Sequence, residues 1–539
     1  MKKIQYLFAT IVLGIGLTSC GDSFLTQYPE GGVLLEDQYN KLPDNLEGSI
    51  LGIYSQMYAY GGHSTFGLRS IDMYGDIQCG DMAMKKSNYG WFEDFERGYF
   101  YSDARSYLWS FYYEIINLAN RGTAAIDSKI PSIMDAIDAG EKPSDEMKSL
   151  GYSYGQLMAI RGWAYANLLK YYCNPMDALP GLMEDVPAVP IYTETEVKAG
   201  TLGQPLATVE EVYNQVYEDL STGIYVLDFF GEYVTRTSKL EINADIARLM
   251  LAYAMLNHGN TEGTLFPGDK NAYEVAVELA DDVITSGKYP MLKKSELLTT
   301  GFADVTAKNW LWGQDVTVET TTALGSFFGQ VDIHTYSYAA AGDTKGIDSR
   351  LYDDIVAKKW DARVDWFRSP DQKYPYCPDG KFYCPKTKDV TALDKVDRDW
   401  LCDNVFMRVE VAYLIAAEAA FMNGDEPEAK NYLQMLCDER VLDGKETEYQ
   451  DWLNTLSGDA LKAAIGYNWR VEMWGEGYGM QTLRRLTKNT KLGTNHISRA
   501  NEEVSAEGSD MEKFQCQIPT SEARYNPWLA TTELAKEEE

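Results

Sequence analysis

The strongest constraint on the fold is a helical spacing of large apolar residues that begins near residue 105. Four segments place apolar residues at steps of three and four, which is the repeat of one face of an α-helix. They are YLWSFYYEIINLANRG (107–122), GQLMAIRGWAYANLLKYY (155–172), TVEEVYNQVYEDLSTGI (208–224) and EINADIARLMLAYAMLNHGN (241–260). The pattern predicts a frame of long helices.

Two later segments repeat a unit of helix, glycine turn and helix. The first unit covers residues 246–290 and the second covers 409–441. Small side chains at the predicted crossing points, such as Ala412, Ala416 and Ala419, let two helices approach closely, as in tetratricopeptide stacking. We therefore predict a mostly α fold, a tetratricopeptide-like scaffold of helical hairpins. A generic helical hairpin is the alternative for either unit alone.

Two stretches lack the helical spacing. Residues 54–104 and 300–400 are rich in Gly, Asp and aromatic residues and show no sustained helical period. Loops of this kind need a scaffold that positions them, and the predicted helices supply one. The predicted body, residues 20–539, therefore comprises an N-terminal segment with binding loops (20–104), helical repeats (105–300), a long irregular loop-rich insertion (301–404) and a C-terminal helical part (405–539).

The N-terminus has the pattern of an export signal. Residues 1–19 begin with two lysines and continue with an apolar run that is too short to span a bilayer as a mature helix. The run ends in Leu-Thr-Ser-Cys, which resembles a bacterial lipobox, so we expect Cys20 to be the lipid anchor. An ordinary secretory peptide with a chance cysteine is the alternative. No other stretch approaches about 18 consecutive apolar residues, so the rest of the chain is expected outside the bilayer.

Charge and motifs exclude several function classes. The formal charge of -32 would repel a phosphate backbone, so nucleic-acid binding is not expected. Four scattered histidines argue against an imidazole metal cluster, and no nucleophile elbow, zinc-protease motif or EF-hand loop appears. We therefore expect neither an enzyme nor a cofactor. An acidic run misses the spacing of a calcium loop, which favours a solvated face and leaves a structural calcium ion open: Asp394, Asp397, Asp399 and Asp403.

Two cysteines flank a strong turn signal. Cys377 and Cys384 enclose Pro-Asp-Gly-Lys-Phe-Tyr, in which Pro378 to Gly380 favour a turn. In an oxidising compartment such a hairpin brings the two thiols together. The pair either forms a local disulfide or remains as two free thiols, and the sequence leaves both open.

The segment 465–488 combines aromatic and charged residues. Its pattern predicts a buried face and ion pairs that attach the C-terminal helix. The residues concerned are Trp469, Met473 and Trp474, with Arg470, Glu472, Arg484 and Arg485. The Gly-Glu-Gly-Tyr-Gly run at 475–479 lacks the preceding strand and the following Lys-Ser/Thr of a phosphate loop, so phosphate binding is not favoured.

Several segments together resemble the SusD/RagB family, the surface lipoproteins of glycan-degrading Gram-negative bacteria that cap a TonB-dependent transporter of the SusC type. The order and spacing of these segments extend over nearly the whole chain. The sequence departs from the family pattern at Asn468-Trp469, Tyr478 and Thr482, all in a structural helix. The segments are GDSFLTQYPEG after Cys20, RGWAYANLLKYYCNPM (161–176), RVEVAYLIAAEA (408–419), IGYNWRVEMWGEGYGMQTLRRLTK (465–488) and QIPTSEARYNPWL (517–529).

The resemblance implies a function as well as a SusD-like fold. It implies a surface-exposed lipoprotein, anchored to the outer membrane, that binds an oligosaccharide and delivers it to a SusC-like transporter without covalent chemistry. Capture of peptides or another nutrient, as in RagB-like members, is the main alternative. A surface glycoside hydrolase and a purely structural partner of the transporter are further alternatives.

The loop regions supply the candidate glycan-binding residues. Sugar rings pack their C–H groups on aromatic faces, and their hydroxyls bond to Asp, Asn and Arg side chains. The resemblance implies a site assembled from such loops, although each residue taken singly is more often part of a core. The candidates are Arg69, Asp72, Asn88, Tyr89, Trp91, Trp310, Trp312, Gln314, Tyr336 and Tyr338.

A third aromatic stretch, residues 360–400, is predicted as a surface that faces the transporter, because aromatic residues also mark protein interfaces. Its members are Trp360, Trp366, Tyr374, Tyr376, Phe382, Tyr383 and Trp400.

Overall fold

A computed structural model of the chain describes residues 42–100, 102–173, 186–259, 266, 268–334, 336–382 and 401–530. Within these residues the chain forms nineteen α-helices and four small antiparallel sheets. The predicted mostly α fold is confirmed. The predicted signal segment 1–19, the expected anchor Cys20 and most of the acidic run after residue 390 lie outside the described residues.

The three longest described helices fall between residues 102 and 231, and the nineteen described helices differ widely in length. They are α1 (Leu42–Gln56), α2 (Leu68–Cys79), α3 (Glu93–Glu96), α4 (Ser102–Ala125), α5 (Ile130–Ala139), α6 (Asp145–Tyr172), α7 (Glu194–Ala199), α8 (Val209–Gly231), α9 (Ala244–His258), α10 (Ala272–Thr285), α11 (Lys294–Glu296), α12 (Phe327–Val331), α13 (Ser349–Lys358), α14 (Glu410–Met422), α15 (Glu426–Asp438), α16 (Glu446–Asn454), α17 (Gly458–Glu472), α18 (Gly479–Thr482) and α19 (Thr520–Tyr525).

Each sheet consists of two antiparallel strands. The strands are β1 (Tyr60–Gly62), β2 (Thr65–Phe66), β3 (Met82–Met84), β4 (Trp310–Gln314), β5 (Lys345–Ile347), β6 (Asn404–Arg408), β7 (Asn489–Lys491) and β8 (Glu503–Ser505). The pairs are β1 with β2, β3 with β5, β4 with β6, and β7 with β8. Two of these sheets therefore join chain segments about 100 residues or more apart: Met82 pairs with Ile347, and Trp310 with Arg408.

The long helices begin at side-chain caps that the sequence encodes. Thr208 accepts a hydrogen bond from the Glu211 amide at 3.2 Å, and the Glu211 carboxylate accepts one from the Thr208 amide at 2.8 Å. Asn271 and Glu274 form the same reciprocal pair at the start of α10. Such a box satisfies two of the amides that a helix start leaves without partners. It therefore fixes where α8 and α10 begin.

Both predicted repeat units are helical hairpins. The first consists of α9 and α10, and the second of α14 and α15, with α10 packed against α14. Gly259 and Gly424 adopt φ of 68° and 87° after the first helix of each unit, as the predicted glycine turns require. Ala412, Ala416 and Ala419 are fully buried. The stacked arrangement predicted from the small residues is confirmed.

Glycines allow α6 and α8 to pack closely along their length. A Cβ at Gly151, Gly155 or Gly162 of α6 would lie 2.3 to 2.8 Å from the side chain of Phe230, Leu227 or Leu220 of α8. From the other side, a Cβ at Gly223 of α8 would lie 2.9 Å from the backbone nitrogen of Ala159. The missing side chains thus set the distance between α6 and α8.

We predict that Gly223→Ala destabilises the protein, because the new methyl group meets backbone that cannot rotate away. Overpacking of this kind costs about 1–3 kcal/mol, which exceeds the gain of about 1 kcal/mol in helix propensity. Gly231→Ala at the end of the same helix is the matched control, since nothing lies within 4 Å of its Cβ position. The urea midpoint should fall for the first variant and stay unchanged or rise slightly for the second; equal midpoints for both would contradict this account of the packing.

Two expectations for residues 360–400 are corrected. Trp360, Trp366 and Phe382 are at most 4% exposed, so they belong to the core and not to a surface that faces a transporter. Cys377 is a free thiol, so the local disulfide with Cys384 is not formed. Tyr383, Cys384 and Trp400 lie outside the described residues, and Tyr374 and Tyr376 are half-buried.

Buried tryptophans and ion pairs attach the segment 465–488 to the rest of the fold, as the sequence predicts. Trp469 and Trp474 are buried, and Arg470 pairs with Asp81 at 2.6 Å. Arg485 pairs with Glu418 at 2.9 Å. None of the described helices is long and apolar enough to cross a membrane.

Candidate functional site

Three short segments from two distant loop regions of the chain bring five aromatic side chains together at the surface. We call this group the aromatic platform, and it consists of Tyr60, His63, Tyr89, Trp91 and Tyr338. The His63 ring is central: its centroid lies 4.8 Å from that of Trp91, 5.2 Å from that of Tyr338 and 5.8 Å from that of Tyr60. Tyr89 stands edge-on to Tyr338 at 5.1 Å. These distances are typical of favourable aromatic pairs.

Backbone and side-chain hydrogen bonds hold the two loops in contact. The Asn88 side-chain amide donates to the carbonyl of Ala341 at 2.8 Å, and the Tyr89 amide donates to the Asp343 carboxylate at 2.9 Å. The Gln330 side chain donates to the carbonyl of His63 at 2.8 Å. The partners are more than 250 residues apart in sequence. The platform therefore forms only in the folded chain.

Two glycines leave room for the contact between the loops. A Cβ at Gly342 would lie 1.9 Å from Nδ2 of Asn88, and Gly342 has a φ of 116° that L-residues rarely adopt. A Cβ at Gly325 would lie 2.1 Å from the ring of Tyr60. Any larger residue at either position would separate the N-terminal loop from the middle loop.

The platform is open to solvent. Tyr60 and Tyr89 are 51% and 46% exposed, and Trp91, His63 and Tyr338 are half-buried. Burial raises the pKa of Tyr338 above its usual value, so the hydroxyl stays protonated and can donate a hydrogen bond. Exposed rings beside hydroxyl and amide groups can contact both the apolar and the polar faces of a ligand.

Four of the ten predicted site residues meet at or beside this platform. Tyr89, Trp91 and Tyr338 belong to it, and Asn88 joins its two loops. Tyr336, two residues before Tyr338, is half-buried. Their contact with a ligand stays a prediction.

The prediction that three residues of β4 contact a ligand is wrong. Trp310, Trp312 and Gln314 are at most 2% exposed, because β4 is covered on both sides and pairs with β6. The indole nitrogen of Trp310 donates to the carbonyl of Gly301 at 2.8 Å, and that of Trp312 donates to the carbonyl of Leu240 at 2.9 Å. These side chains are core residues with satisfied polar atoms, so they offer no surface to a ligand.

Arg69 is also buried, and its role is structural. Its guanidinium pairs with Asp72 at 2.6 Å, donates to the carbonyl of Gly475 at 2.7 Å and lies 4.0 Å above the ring of Phe327. Burial raises the pKa of Asp72 to about 6, although Arg69 acts against the rise. The pair therefore attaches α2 to the C-terminal part of the chain, and ligand contact by the half-buried Asp72 stays a prediction.

Sequence reasoning missed two members of the platform, Tyr60 and His63. Both lie in the short hairpin of β1 and β2, within the run Tyr-Gly-Gly-His. The glycine pair marks a turn with a ring on each side of it, which is the signal that could have identified them. A lone histidine in the sequence gave no hint that its ring would lie between Trp91 and Tyr338.

The glycine run at 475–479 binds an anion, but the anion belongs to the protein. The amides of Gly475, Gly477 and Gly479 donate to the carboxylate of Asp76 at 2.8 to 3.2 Å. Backbone amides that point to one pair of carboxylate oxygens make an anion-binding concavity, which Asp76 fills. Burial nevertheless raises the pKa of Asp76 to about 7, with the nearby Asp81 adding to the rise. A phosphate loop is excluded by this internal ligand.

A buried histidine supports the base of the platform. His496 Nδ1 lies 3.0 Å from Glu96 of α3, and its Nε2 lies 3.1 Å from Asp348, which follows β5. The Glu96 carboxylate in turn accepts a hydrogen bond from the amide of Met84 in β3. One imidazole therefore connects the segments that carry the two platform loops.

This bridge predicts a pH dependence of stability. Burial alone would lower the pKa of His496, but hydrogen bonds to the carboxylates of Asp348 and Glu96 outweigh burial and raise the pKa above 6.5. When the pKa of a group is higher in the folded than in the unfolded state, protonation of the group stabilises the folded protein. This stabilisation is fully present at pH values below the unfolded pKa and is lost as the pH rises through the folded pKa. Removing one partner of a buried pair costs about 3–5 kcal/mol.

We therefore expect His496→Gln to lower the free energy of unfolding most below pH 6.5 and less at higher pH. The measurement is urea unfolding of the wild type and the variant between pH 5 and pH 9. His334→Gln is the control, because His334 is about 29% exposed in its pair with Asp379. A difference between wild type and His496→Gln that stays constant over this range would contradict the proton linkage.

The described residues contain no group of three or more His, Cys, Asp or Glu side chains that could hold a metal ion. Asp403, the described member of the acidic run, accepts hydrogen bonds from the amides of Val305 and Val316 at 2.9 Å each. It therefore fastens two loop segments.

Comparison with known proteins agrees with this fold. A SusD-like family model described as "Starch-binding associating with outer membrane" matches residues 45–251. A search of curated proteins finds no match to this sequence.

Among solved structures, a SusD-like carbohydrate binding protein from Bacteroides vulgatus is 22% identical, with a TM-score of 0.65 over 91% of this chain and 97% of its own. A SusD superfamily protein from Bacteroides thetaiotaomicron is 20% identical, with a TM-score of 0.65 over 90% and 98%. A third, from Bacteroides fragilis, is 17% identical, with a TM-score of 0.63 over 90% and 98%. Identities this low establish a shared fold. Together with the family model they confirm the resemblance found in the sequence: the chain has a SusD-like fold.

Proposed function

We propose that this protein captures a glycan on the aromatic platform and holds it without covalent chemistry. The observation that carries the proposal is the exposed cluster of Tyr60, His63, Tyr89, Trp91 and Tyr338. Its rings present apolar faces to solvent next to hydroxyl, imidazole and amide groups. Sugars display the matching combination of C–H faces and hydroxyls. The family model and the carbohydrate-binding relative support the same ligand class.

The platform is suited to binding and release more than to catalysis. The Asp343 carboxylate, which is hydrogen-bonded to a platform residue, accepts from the Tyr89 amide and so positions a loop. A glycosidase needs two carboxyl groups that face each other across the scissile bond. The rings and amides of the platform supply contact area and directional hydrogen bonds, which are sufficient for capture.

Delivery to a SusC-like TonB-dependent transporter at the outer membrane completes the proposed role. The lipobox before Cys20 supports a lipid anchor at the cell surface. The family description, which refers to association with the outer membrane, supports the location. A protein tethered in this way can pass a glycan to a neighbouring transporter by opening and closing over it.

We predict that Trp91→Ala weakens glycan binding about tenfold or more, because the indole is a large ring next to the platform centre. A tenfold loss corresponds to about 1.4 kcal/mol, within reach of one aromatic contact and its buried area. Isothermal titration of the mature protein against a glycan panel measures the change. Tyr225→Ala is the matched control, since Tyr225 is 45% exposed on α8 and contributes no ring to the platform. Binding to peptides but to no glycan would favour nutrient capture of the RagB kind, and release of reducing sugar would favour a hydrolase.

The anchor gives a separate prediction. Replacing Cys20 with alanine removes the thiol that would be acylated, and a single lost lipid attachment is expected to release the protein from the membrane fraction. Cell fractionation with immunoblotting measures the distribution. Cys79→Ala is the control, because Cys79 is a free and buried thiol. Retention of the Cys20→Ala protein in the outer-membrane fraction would contradict lipid anchoring at this residue.

A further inference from the structure

A pocket opens between α4, the residues before α7 and the loop that follows α7. Its volume is about 310 Å³, at the lower end of the range for small-molecule sites. The lining includes Tyr113, Asn117, Tyr192, Thr201 and Leu202. None of these residues belongs to the aromatic platform, so the pocket is separate from the site described above.

Two tyrosine rings form walls of this pocket. Tyr113 and Tyr192 meet edge to face, with their centroids 6.0 Å apart. The Tyr113 hydroxyl donates to the carbonyl of Pro190 at 2.7 Å, so its polar end is satisfied. The Tyr192 hydroxyl accepts a hydrogen bond from the Gln204 amide at 3.1 Å and keeps its own proton to donate. The walls are therefore rigid and carry a donor.

An amide side chain in the pocket has no partner within the described part of the chain. Asn117 is half-buried and makes no hydrogen bond there, so two donors and an acceptor are available. The nearby Asn120 differs, since it donates to the carbonyl of Tyr192 and accepts from Arg161, each at 2.8 Å. The exposed Thr201 adds a hydroxyl at the pocket mouth. These groups match the hydroxyls of a sugar.

Large exposed side chains extend the pocket along the surface. Leu202 at the mouth is 80% exposed, and the loop that carries it is held by a 2.8 Å hydrogen bond from Asn526 to the carbonyl of Gln204. Tyr525 and Trp528, which lie within two residues of Asn526 in the sequence, are 83% and 61% exposed. Two aromatic side chains with such large exposed fractions, one on each side of Asn526, are unusual on a monomer surface and mark a binding surface.

We propose that the pocket of Tyr113, Asn117 and Tyr192, continued by Tyr525 and Trp528, is a second glycan-binding site. The inference rests on the proposed function, because its ligand is a further part of the same kind of glycan. A sugar fits better than a protein partner, since the pocket pairs flat rings with an unused amide and hydroxyls, whereas the fully buried core of a protein interface is largely apolar.

Two sites on one protein change how it selects its ligand. A long polymer can occupy both, and the second contact becomes intramolecular, which raises the overall affinity well above that of either site. A short oligosaccharide gains nothing from the second site. The protein would therefore retain polysaccharides at the cell surface more strongly than their short products.

Affinity electrophoresis of the full mature chain tests the inference, with amylopectin, xylan, galactomannan, pectin and inulin each cast in a separate gel. One variant lacks the platform (Trp91→Ala with Tyr338→Ala) and another lacks the second site (Asn117→Ala with Trp528→Ala). We expect the polymer that retards the wild type to retard the platform variant as well. Loss of the second site should raise the apparent dissociation constant for that polymer about tenfold, and the four substitutions together should abolish retardation.

The controls separate this inference from the proposed function. Tyr225→Ala should migrate like the wild type, and the unfolding midpoints of all variants should agree, because the substituted side chains are exposed or half-buried. If the platform variant loses all retardation, or the second-site variant equals the wild type, the second site is refuted and the platform stands. If no polymer retards the wild type, the proposed function fails and this inference fails with it.

Discussion

Eight buried charges hold the distant segments of this chain together. The side chains form one network of ion pairs in which four positive charges face four negative ones, all at most 5% exposed. Balance matters because a buried charge without a partner is far more costly than a buried pair. The members are Arg363, Lys381, Arg408 and Arg440 with Asp361, Glu410, Glu472 and Glu476.

Glu472 is the centre of this network. Its carboxylate lies 2.8 Å from Arg408, 2.9 Å from Arg440 and 3.3 Å from Arg363. Burial opposes its ionisation, but the neighbouring guanidinium groups hold its pKa well below the usual range. Burial lowers the pKa of Lys381 to about 8, and Glu476 acts against that shift. The charges therefore stabilise one another only in the assembled arrangement, where the end of α17, β6 and the segment after α13 meet.

The platform depends on this network through a short chain of contacts. Glu476 belongs to the network and to the glycine loop whose amides surround Asp76. Asp76 and Arg69 both lie on α2, which follows the hairpin of Tyr60 and His63 and precedes the loop of Trp91. A change that displaced the network would therefore shift the N-terminal half of the platform relative to the half that carries Tyr338. Ligand contact residues can lie on irregular loops because this frame fixes where the loops begin and end.

The helical frame could be predicted from the sequence, because periodicity and capping residues act over a few positions. The spacing in 155–172 and the glycine turns at Gly259 and Gly424 needed no distant information. The partners of the loops could not be predicted in this way. Asn88 bonds to Ala341, and no local pattern specifies which loop will lie beside another. The two aromatic loop regions were identified, but their meeting place was not.

The tryptophans show why composition alone misassigns a binding site. Trp91 and Trp312 both occur in aromatic, glycine-containing segments, yet one is half-exposed and the other is 1% exposed. The difference lies in their neighbours: Trp312 is in a strand that pairs with β6, whereas Trp91 follows Gly90, whose φ of 77° turns the chain outward. A strand with partners on its edge and both faces covered buries every ring it carries. Where the backbone leaves such pairing, an aromatic residue can remain available to a ligand, as at His63 in the hairpin turn and in the loops of Trp91 and Tyr338.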